Sequence, residues 1–498
     1  MITITPGQLT HEQIGPLYRS PTSVTLDESC WKHVEASHNV VLSLMKRGET
    51  VYGVNTGFGL LANKRIPDED LEQLQLNIVR SHSAGVGDLL DDSIVRLVML
   101  LKLSSLARGY SGVRPVVIET LVSCLNQGII PCVPSKGSVG ASGDLAPLAH
   151  LSLALIGEGE VRIDGEIKPA AESLAQHDIE PLKLGPKEGL ALLNGTQVST
   201  ALALAGLYDA RQCFDAAMVA GAMSVDAAMG SDTPFDARIH EIRNHPTQIE
   251  CARRYRELLS GSEIRHSHRD CTRVQDPYSL RCQPQVMGAC LELLNHAADV
   301  LIREANAVSD NPLVFEDDES ILSGGNFHAE PVAMAADEIA IAVAEIGSLS
   351  ERRIALLIDQ HLSELPSFLV KDGGLNSGFM IPQVTAAALT SENKHLGASV
   401  SVDSLPTSAN QEDHVSMATY AARRLKDMNE NTATIVAIEL LAAAQGIDFR
   451  APLKTSPQLQ QVFDRIRALV PFYEQDRVFG TDIELIKSQI VCGSCGAS

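Results

Sequence analysis

The feature of this chain that most limits its fold is a set of long segments in which apolar residues recur at helical spacing. In one segment Val286, Cys290, Leu293, Leu294 and Ala297 recur at roughly three- and four-residue steps, as on one face of an α-helix. Alanine and leucine are abundant and favour helices. The segments that this pattern predicts to be helical are 188–230, 283–308, 326–361, 384–400 and 414–445.

The N-terminal part of the chain has a different pattern. It mixes short helical patterns with Gly/Pro turns and contains the segment GEGEVRIDGEIKPAA, in which Asp164-Gly165 stands between alternating residues. This arrangement predicts a β-hairpin. The predicted fold class is therefore mainly α, with a smaller mixed N-terminal region over 1–190 and a bundle of long helices over 191–498.

Charge and hydropathy limit the partners of the protein. Its 40 basic and 62 acidic residues give a net charge of −22, which disfavours nucleic acid and anionic membranes as partners. The start, MITITPGQLTHEQ, lacks a basic leader and an apolar core, and the stretch SIVRLVMLLKLSSLA is interrupted by Arg96 and Lys102. We therefore expect no membrane contact, no secretion and a cytoplasmic location.

Cysteine and histidine clusters give only weak signals for a metal. The ten cysteines are scattered, which is typical of reduced thiols. The segment HSHRDC holds His266, His268 and Cys271, but no second cluster follows at zinc-finger spacing, so a polar loop is favoured. Cys492 and Cys495 form a lone CxxC near the end, without a surrounding βαβ pattern. The sequence predicts no metal site.

Two glycine-rich segments superficially resemble nucleotide-binding motifs. In NTGFGLLA, Gly57, Gly59 and Ala62 match a dinucleotide pattern, but only the short run VYGV precedes them and no parallel α/β pattern follows. In the segment 136–144 the lysine precedes the glycines, which is not the Walker order. We therefore predict no nucleotide site.

Residues 136–150, KGSVGASGDLAPLAH, combine a glycine-rich turn with the predicted start of a helix. Asp144 is a favourable N-cap residue, and 145–156 is an apolar run of helical length. The turn therefore lies at the positive end of a helix dipole. Physical arguments alone leave open an anion-binding turn or a plain structural turn.

The residue types at 141–143 allow a third use of this turn. Because Gly143 has no side chain, its amide nitrogen can approach the carbonyl carbon of Ala141 and close a five-membered ring. Loss of water from Ser142 would then leave an exocyclic methylene, which is a strong electrophile built from the backbone.

GSVGASGDLAPLAH resembles the signature of the aromatic amino acid ammonia-lyase family, whose Ala-Ser-Gly forms 4-methylidene-imidazol-5-one (MIO). The resemblance covers essentially the whole chain. It implies a MIO made from Ala141, Ser142 and Gly143, no diffusible cofactor, and the L-aspartase-like helical fold. It also implies a homotetramer with shared active sites, in which 1–190 and 191–498 form one catalytic unit. The further matching motifs, in chain order, are YGVNTGFG (52–59), LLNGTQ (192–197), QDPYSLRCQPQVMG (275–288), GNFHAEPVA (325–333) and NQEDHVSM (410–417).

The family eliminates ammonia from aromatic amino acids, and the resemblance is strongest to members that convert L-histidine to trans-urocanate in histidine degradation. The β-hydrogen of such a substrate is weakly acidic, and the amine is a poor leaving group. An electrophile that captures the amine improves the leaving group while a base removes the β-proton, which is a form of covalent catalysis.

The resemblance also implies roles for single residues. Tyr52 corresponds to the base, and Tyr278 is a second catalytic tyrosine. Arg281, in the same loop as Tyr278, suits the substrate carboxylate through paired hydrogen bonds. Asn194 corresponds to an asparagine beside the MIO and the substrate, and Phe327 to an aromatic residue near the MIO. Without the resemblance, Tyr52 would be read as a buried tyrosine and Arg281 as a surface ion-pair partner. Asn194 would be read as a helix-interrupting polar residue and Phe327 as a core residue.

His82 and Glu412 bear on the choice of substrate. An imidazole and a carboxylate can exchange hydrogen bonds with the ring nitrogens of a histidine substrate. A phenyl ring would leave both groups unpaired, at about 1–3 kcal/mol for each. The alternatives are a tyrosine or phenylalanine lyase or aminomutase of the same family, an inactive helical scaffold, and a fumarase–aspartase type of lyase suggested by SGFMIPQVTAA.

Overall fold

A computed structural model describes residues 1–51, 53–57, 66–268 and 274–493 of the chain. The predicted base Tyr52, together with Gly59, Ala62, Cys271 and Cys495, lies outside the described residues. The described chain is mainly helical, and its strands are short.

The helices begin and end as follows: α1 (His11–Arg19), α2 (Cys30–Lys46), α3 (Leu71–His82), α4 (Asp92–Leu106), α5 (Pro115–Asn126), α6 (Leu145–Leu155), α7 (Ala170–Gln176), α8 (Glu188–Leu193), α9 (Gln197–Ala227), α10 (Ala237–Glu241), α11 (Pro246–Leu259), α12 (Glu263–Ser267), α13 (Tyr278–Arg281), α14 (Gln283–Ala305), α15 (Glu330–Ile358), α16 (Gln360–Ser363), α17 (Met380–Leu396), α18 (Ala418–Arg423), α19 (Leu425–Asp448), α20 (Pro457–Leu469) and α21 (Phe479–Val491).

The strands form four small sheets. β1 pairs with β2 in parallel, whereas β3–β5, β4–β6–β7 and β8–β9 are antiparallel. Their bounds are β1 (Ile2–Ile4), β2 (Val24–Leu26), β3 (Val86–Leu89), β4 (Ile130–Pro131), β5 (Pro134–Lys136), β6 (Glu160–Ile163), β7 (Glu166–Pro169), β8 (Leu313–Phe315) and β9 (Ser320–Leu322).

The chain divides into two compact units. Each unit combines stretches that are separated in sequence, so neither unit coincides with the predicted region 1–190 or 191–498. That these two regions form one catalytic unit stays a prediction. Unit 1 consists of residues 1–205, 298–337 and 399–423, and unit 2 consists of residues 206–297, 338–398 and 424–498.

In unit 1, α4 is buried along most of its length, and the β6–β7 hairpin confirms the predicted turn. Ile163 pairs with Glu166, and Asp164 and Gly165 between them both have positive φ angles, of 50° and 83°. Positive φ at both central residues is typical of the type I′ turns that favour Asp-Gly.

In unit 2, α19 is the central apolar element, with buried residues on all its faces. Its one buried carboxylate, Glu439, accepts paired hydrogen bonds from Arg353 on α15, at 2.5 and 2.8 Å. Ser224 and Ser350 donate to the same carboxylate. This ion pair is tolerated in the core because both carboxylate oxygens are hydrogen-bonded.

The predicted long helices are present, although two of them are divided. The segment 188–230 is broken between α8 and α9, because Asn194 is extended and Gly195 has φ +133°. In the segment 414–445, Met417 has φ +56°, so the first helix begins only with α18, and Arg424 separates α18 from α19. The segments at 283, 326 and 384 correspond to α14, α15 and α17. The mainly α fold class is confirmed, and no helix in the described ranges is long and apolar enough to cross a membrane.

Candidate active site

The Ala141–Gly143 tripeptide forms a tight turn directly before α6. Gly143 has φ +75° and bridges to Gly195, the residue that separates α8 from α9. The amide of Asp144 donates to the Gly195 carbonyl at 2.7 Å. A Cβ on Gly143 would lie 2.4 Å from the same oxygen, so a larger residue would have to displace the backbone.

The segment that precedes the tripeptide is fixed by two other parts of unit 1. The Ser416 hydroxyl donates to the Gly140 carbonyl at 3.0 Å, and the Met417 amide donates to the Val139 carbonyl at 2.8 Å. The Ala329 amide also donates to Gly140, at 3.3 Å. Residues that are far apart in the sequence therefore hold this turn in place.

Asp144 occupies the N-cap position of α6, as predicted, but its side chain does not cap the helix in the described structure. One carboxylate oxygen accepts hydrogen bonds from Ser138 and Thr419, at 2.9 and 2.7 Å. The other accepts from the amide and the hydroxyl of Ser199, at 2.7 and 2.9 Å. These four donors take the place of the α6 amides, so Asp144 ties the turn to α9 and α18.

Asn194 contacts the tripeptide directly. Its side-chain amide donates to the Ser142 carbonyl at 2.6 Å. Lys102 fixes the backbone of Asn194: its ammonium donates hydrogen bonds to the carbonyls of Asn194 and Ala191, at 2.7 and 2.8 Å. Complete burial lowers the pKa of Lys102 to about 8, although Asp310 opposes the shift.

Sequence reasoning missed Lys102 and the role of the Asp144 carboxylate. In the sequence, Lys102 stands out only as an interruption of an apolar stretch. That interruption was itself a usable signal, because a lysine is almost never fully buried unless its charge is paired or hydrogen-bonded. Its partners, the carbonyls at the C-terminal end of α8, could not be identified from the local pattern.

Glu412 is also brought to the tripeptide. The Ser142 hydroxyl donates to one oxygen of Glu412 at 2.5 Å, and the Thr407 hydroxyl donates to the other at 2.6 Å. His82 lies at the end of α3. Burial lowers the pKa of His82, while a backbone hydrogen bond at Ile78 and the charge of Glu412 oppose the shift. Asn194 and Glu412 therefore both contact the turn at Ser142, and His82 lies within electrostatic reach of Glu412.

For the remaining predicted residues, the structure gives their exposure and near neighbours but no hydrogen bond to the tripeptide among the described residues. Phe327 is half-buried and stands two residues before Ala329. In unit 2, Tyr278 is 71% exposed, and the guanidinium of Arg281 lies 4.8 Å from the centre of its ring. Arg281 also lines a cavity of about 900 Å³ together with Arg265, Gln275 and Asp276. The roles predicted for Tyr278, Arg281 and Phe327 stay predictions.

Comparisons with known proteins identify the class. Residues 9–468 match the aromatic amino acid lyase family model. A histidine ammonia-lyase of Vibrio cholerae is 62% identical over 97% of this chain and 95% of its own length. A crystal structure of histidine ammonia-lyase from Trypanosoma cruzi has a TM-score of 0.92 and 40% identity, covering 99% of this chain and 94% of the other. Tyrosine aminomutase from Streptomyces globisporus has a TM-score of 0.94 and 37% identity, covering 99% and 97%.

The family match and the similar histidine ammonia-lyases identify the protein as a carbon–nitrogen lyase. The chain belongs to the aromatic amino acid lyase family. The predicted family and the predicted enzyme class are thus confirmed.

Proposed function

We propose that this protein eliminates ammonia from L-histidine to give trans-urocanate, as a step of histidine degradation. The observation that carries the proposal is the contact of Glu412 with Ser142, in electrostatic reach of His82. An acceptor and an imidazole beside the reactive turn suit a substrate whose own side chain is an imidazole. The similar proteins named histidine ammonia-lyase add independent support.

The tripeptide fits the requirements of a MIO group. Gly143 is in a left-handed conformation against Gly195, where a Cβ would collide, so the ring-closing amide belongs to a residue that must be glycine. Asn194 already donates to the Ser142 carbonyl at 2.6 Å. Ring closure and dehydration of Ser142 together release two water molecules. When formed, the group supplies the electrophile that turns the substrate amine into a better leaving group.

Helix N-termini favour negative charge at the same place. The tripeptide immediately precedes α6, and Gly195, which it contacts, lies two residues before α9. The positive ends of both helix dipoles, with the Asn194 amide, would stabilise negative charge that develops on the carbonyl oxygen of Ser142. Lys102 contributes indirectly, since it fixes the backbone that carries Asn194.

Glu412 and His82 provide the specificity. The lowered pKa of His82 favours its neutral form, which offers one donor and one acceptor nitrogen. Each group left without a partner by a phenyl substrate would cost about 1–3 kcal/mol. Both costs act against phenylalanine and tyrosine and in favour of histidine.

The other assignments complete the proposal. Tyr52 acts as the base that takes the β-proton, with Tyr278 as the second tyrosine. Arg281 binds the substrate carboxylate through paired hydrogen bonds, and Phe327 flanks the MIO. We further propose a cytoplasmic homotetramer whose active sites are shared between subunits.

The test is a turnover assay with a mass measurement on the same preparation. Purified protein should produce urocanate absorbance from L-histidine, with far lower kcat/KM for L-tyrosine and L-phenylalanine. Its intact mass should be two water molecules below the sequence mass. Active protein with the unmodified mass would contradict the MIO assignment, and a β-amino acid product would show an aminomutase instead.

Ser142→Ala supplies the decisive variant, because it removes the hydroxyl that must be eliminated. The variant should lose turnover, and its intact mass should equal the mass calculated from its own sequence with no loss of water. Its circular dichroism spectrum should remain helical. Ser152→Ala is the matched control. Ser152 is a buried serine of α6 that donates to the Leu148 carbonyl, and its removal should leave the mass deficit and the turnover intact.

A further inference from the structure

Three side chains outside the assigned site converge in unit 1. His328, Glu330 and His414 each offer one ligand atom, and these atoms all lie within 4.8 Å of one another. The rings of His328 and His414 are tilted against each other with their centres 5.7 Å apart. Nε2 of His328 lies 3.2 Å from the His414 carbonyl oxygen, so the two segments are already in direct contact.

Glu330 gives a second, independent observation. Its Oε2 atom is buried and has no hydrogen-bond partner among the described residues. A buried, unpaired carboxylate oxygen is costly, and such groups are usually paired or bound to a cation. Glu330 is the first residue of α15, and the helix dipole contributes only about 0.3–1 kcal/mol of stabilisation at an exposed site. This stabilisation is too small to offset the cost of burying a carboxylate oxygen that has no hydrogen-bond partner.

We propose that His328, Glu330 and His414 form a binding site for a divalent transition-metal ion of the Zn²⁺ class. Two imidazole nitrogens and one carboxylate oxygen are a common ligand set for such ions, with a water in the fourth position. Metal–ligand bonds of about 2.0–2.2 Å in tetrahedral geometry bring ligand atoms to roughly 3.3 Å from one another. Small side-chain rotations would close the difference, and the exposure of His414 gives the ion a path of entry.

The ion would connect two segments that border the tripeptide turn. Ala329, between two of the ligands, donates to the Gly140 carbonyl, and Glu412 stands two residues before His414. The metal would therefore cross-link the 328–330 segment to the loop that carries Glu412. None of its three ligands belongs to the groups assigned to the reaction, so the ion would act on the site only through the two segments that it joins.

The test uses chelator-treated, full-length protein and Co²⁺ as the probe. Co²⁺ should give visible d–d absorption that saturates at one ion per chain, and Zn²⁺ should displace it. Zn²⁺ should also raise the melting temperature, because the assembled site of the folded chain binds it more tightly than the unfolded chain does. His414→Gln and His328→Gln should each weaken Co²⁺ binding at least tenfold and remove the Zn²⁺ shift in melting temperature.

The matched control is the His266→Gln, His268→Gln double variant, which removes two histidines from the other cluster and should bind Co²⁺ as the wild type does. The proposal is overturned if His414→Gln and His328→Gln bind as tightly as the wild type. It is also overturned if the control variant loses the ion. Circular dichroism of each variant shows that the fold is retained, and Glu330→Gln, which keeps the side-chain shape, provides a further variant that should lose affinity.

Discussion

Two turns of unit 1 contain a glycine with nearly the same φ angle, but one glycine has open space around it and the other is packed against the backbone. Gly165, in the β6–β7 hairpin, has φ +83°, and no described atom lies within 4 Å of the position that a Cβ would take. Gly143, in the tripeptide, has φ +75°, and a Cβ there would lie 2.4 Å from the Gly195 carbonyl oxygen. The first glycine is required only by its backbone angle, whereas the second is also required by a neighbour.

The hydrogen bonds of the two turns differ in the same way. The hairpin is closed by pairing between adjacent strands, such as Ile163 with Glu166. The tripeptide turn is held by residues that lie far away in the sequence, for example Glu412 on Ser142 and Thr419 on Asp144. Hydrogen bonds from distant segments can hold a turn more rigidly than contacts between adjacent residues can. A catalytic site needs this rigidity because its reacting groups must keep a precise geometry.

This difference explains how much could be predicted from the sequence. The hairpin, the start of α6 and the long α14 follow from local patterns, because their determinants lie within a few residues. The partners of Asp144 and Lys102 do not, since each joins segments that only the folded chain brings together. Glu412 was identified through family resemblance, and no spacing argument would have placed it beside Ser142.

The largest expected effect is that of Gly143→Ala. The added Cβ would meet the Gly195 carbonyl, and the φ angle would be strained, so the turn should open and ring closure should fail. We expect loss of turnover with histidine and an intact mass without the two-water deficit. Retention of both the deficit and more than a tenth of wild-type kcat would show that Gly195 gives way easily.

The next largest effect is that of Glu412→Ala on specificity. Loss of a hydrogen bond to a charged group costs roughly 1.5–3 kcal/mol, so kcat/KM for histidine should fall about ten- to a hundredfold. The fall could reach the 10²–10⁴-fold range of proton-transfer catalysts if Glu412 also moves a proton. His82→Leu should weaken histidine turnover and lower the penalty against tyrosine and phenylalanine. Unchanged kcat/KM for histidine in Glu412→Ala would make the carboxylate purely structural.

A pH-dependent effect is expected from Lys102, which donates to the Asn194 carbonyl and so supports the Asn194 side of the tripeptide turn. Burial lowers the pKa of Lys102 from 10.5 to about 8, with Lys187 acting in the same direction and Asp310 and Asp144 against it. Between these values the unfolded chain binds more protons than the folded chain. The stability of the wild type should therefore rise with pH across this window, by about 3 kcal/mol in full.

Lys102→Met lacks this titration and provides the comparison. The difference in unfolding free energy between wild type and Lys102→Met, measured at pH 7.5, 8.5 and 9.5, should shift progressively in favour of the wild type. Groups common to both proteins cancel in this difference. Parallel pH curves for the two proteins would show that the ammonium is not buried as the structure has it.

The smallest effect is expected for Gly165→Ala, which has the same strain as Gly143→Ala without the collision. A left-handed conformation costs a non-glycine residue roughly 1–2 kcal/mol. Alanine also reduces the conformational entropy of the unfolded chain, and this stabilising effect offsets only part of the strain, because alanine does not favour a positive φ angle. We therefore expect the unfolding free energy to fall by about 1 kcal/mol, with unchanged kcat and an unchanged two-water mass deficit. Gly165→Asn should cost less, because asparagine tolerates the left-handed region. Urea unfolding and turnover of the three proteins measure these effects. Loss of turnover in Gly165→Ala would mean that the hairpin turn, too, depends on a neighbour, and the contrast between the two turns would no longer hold.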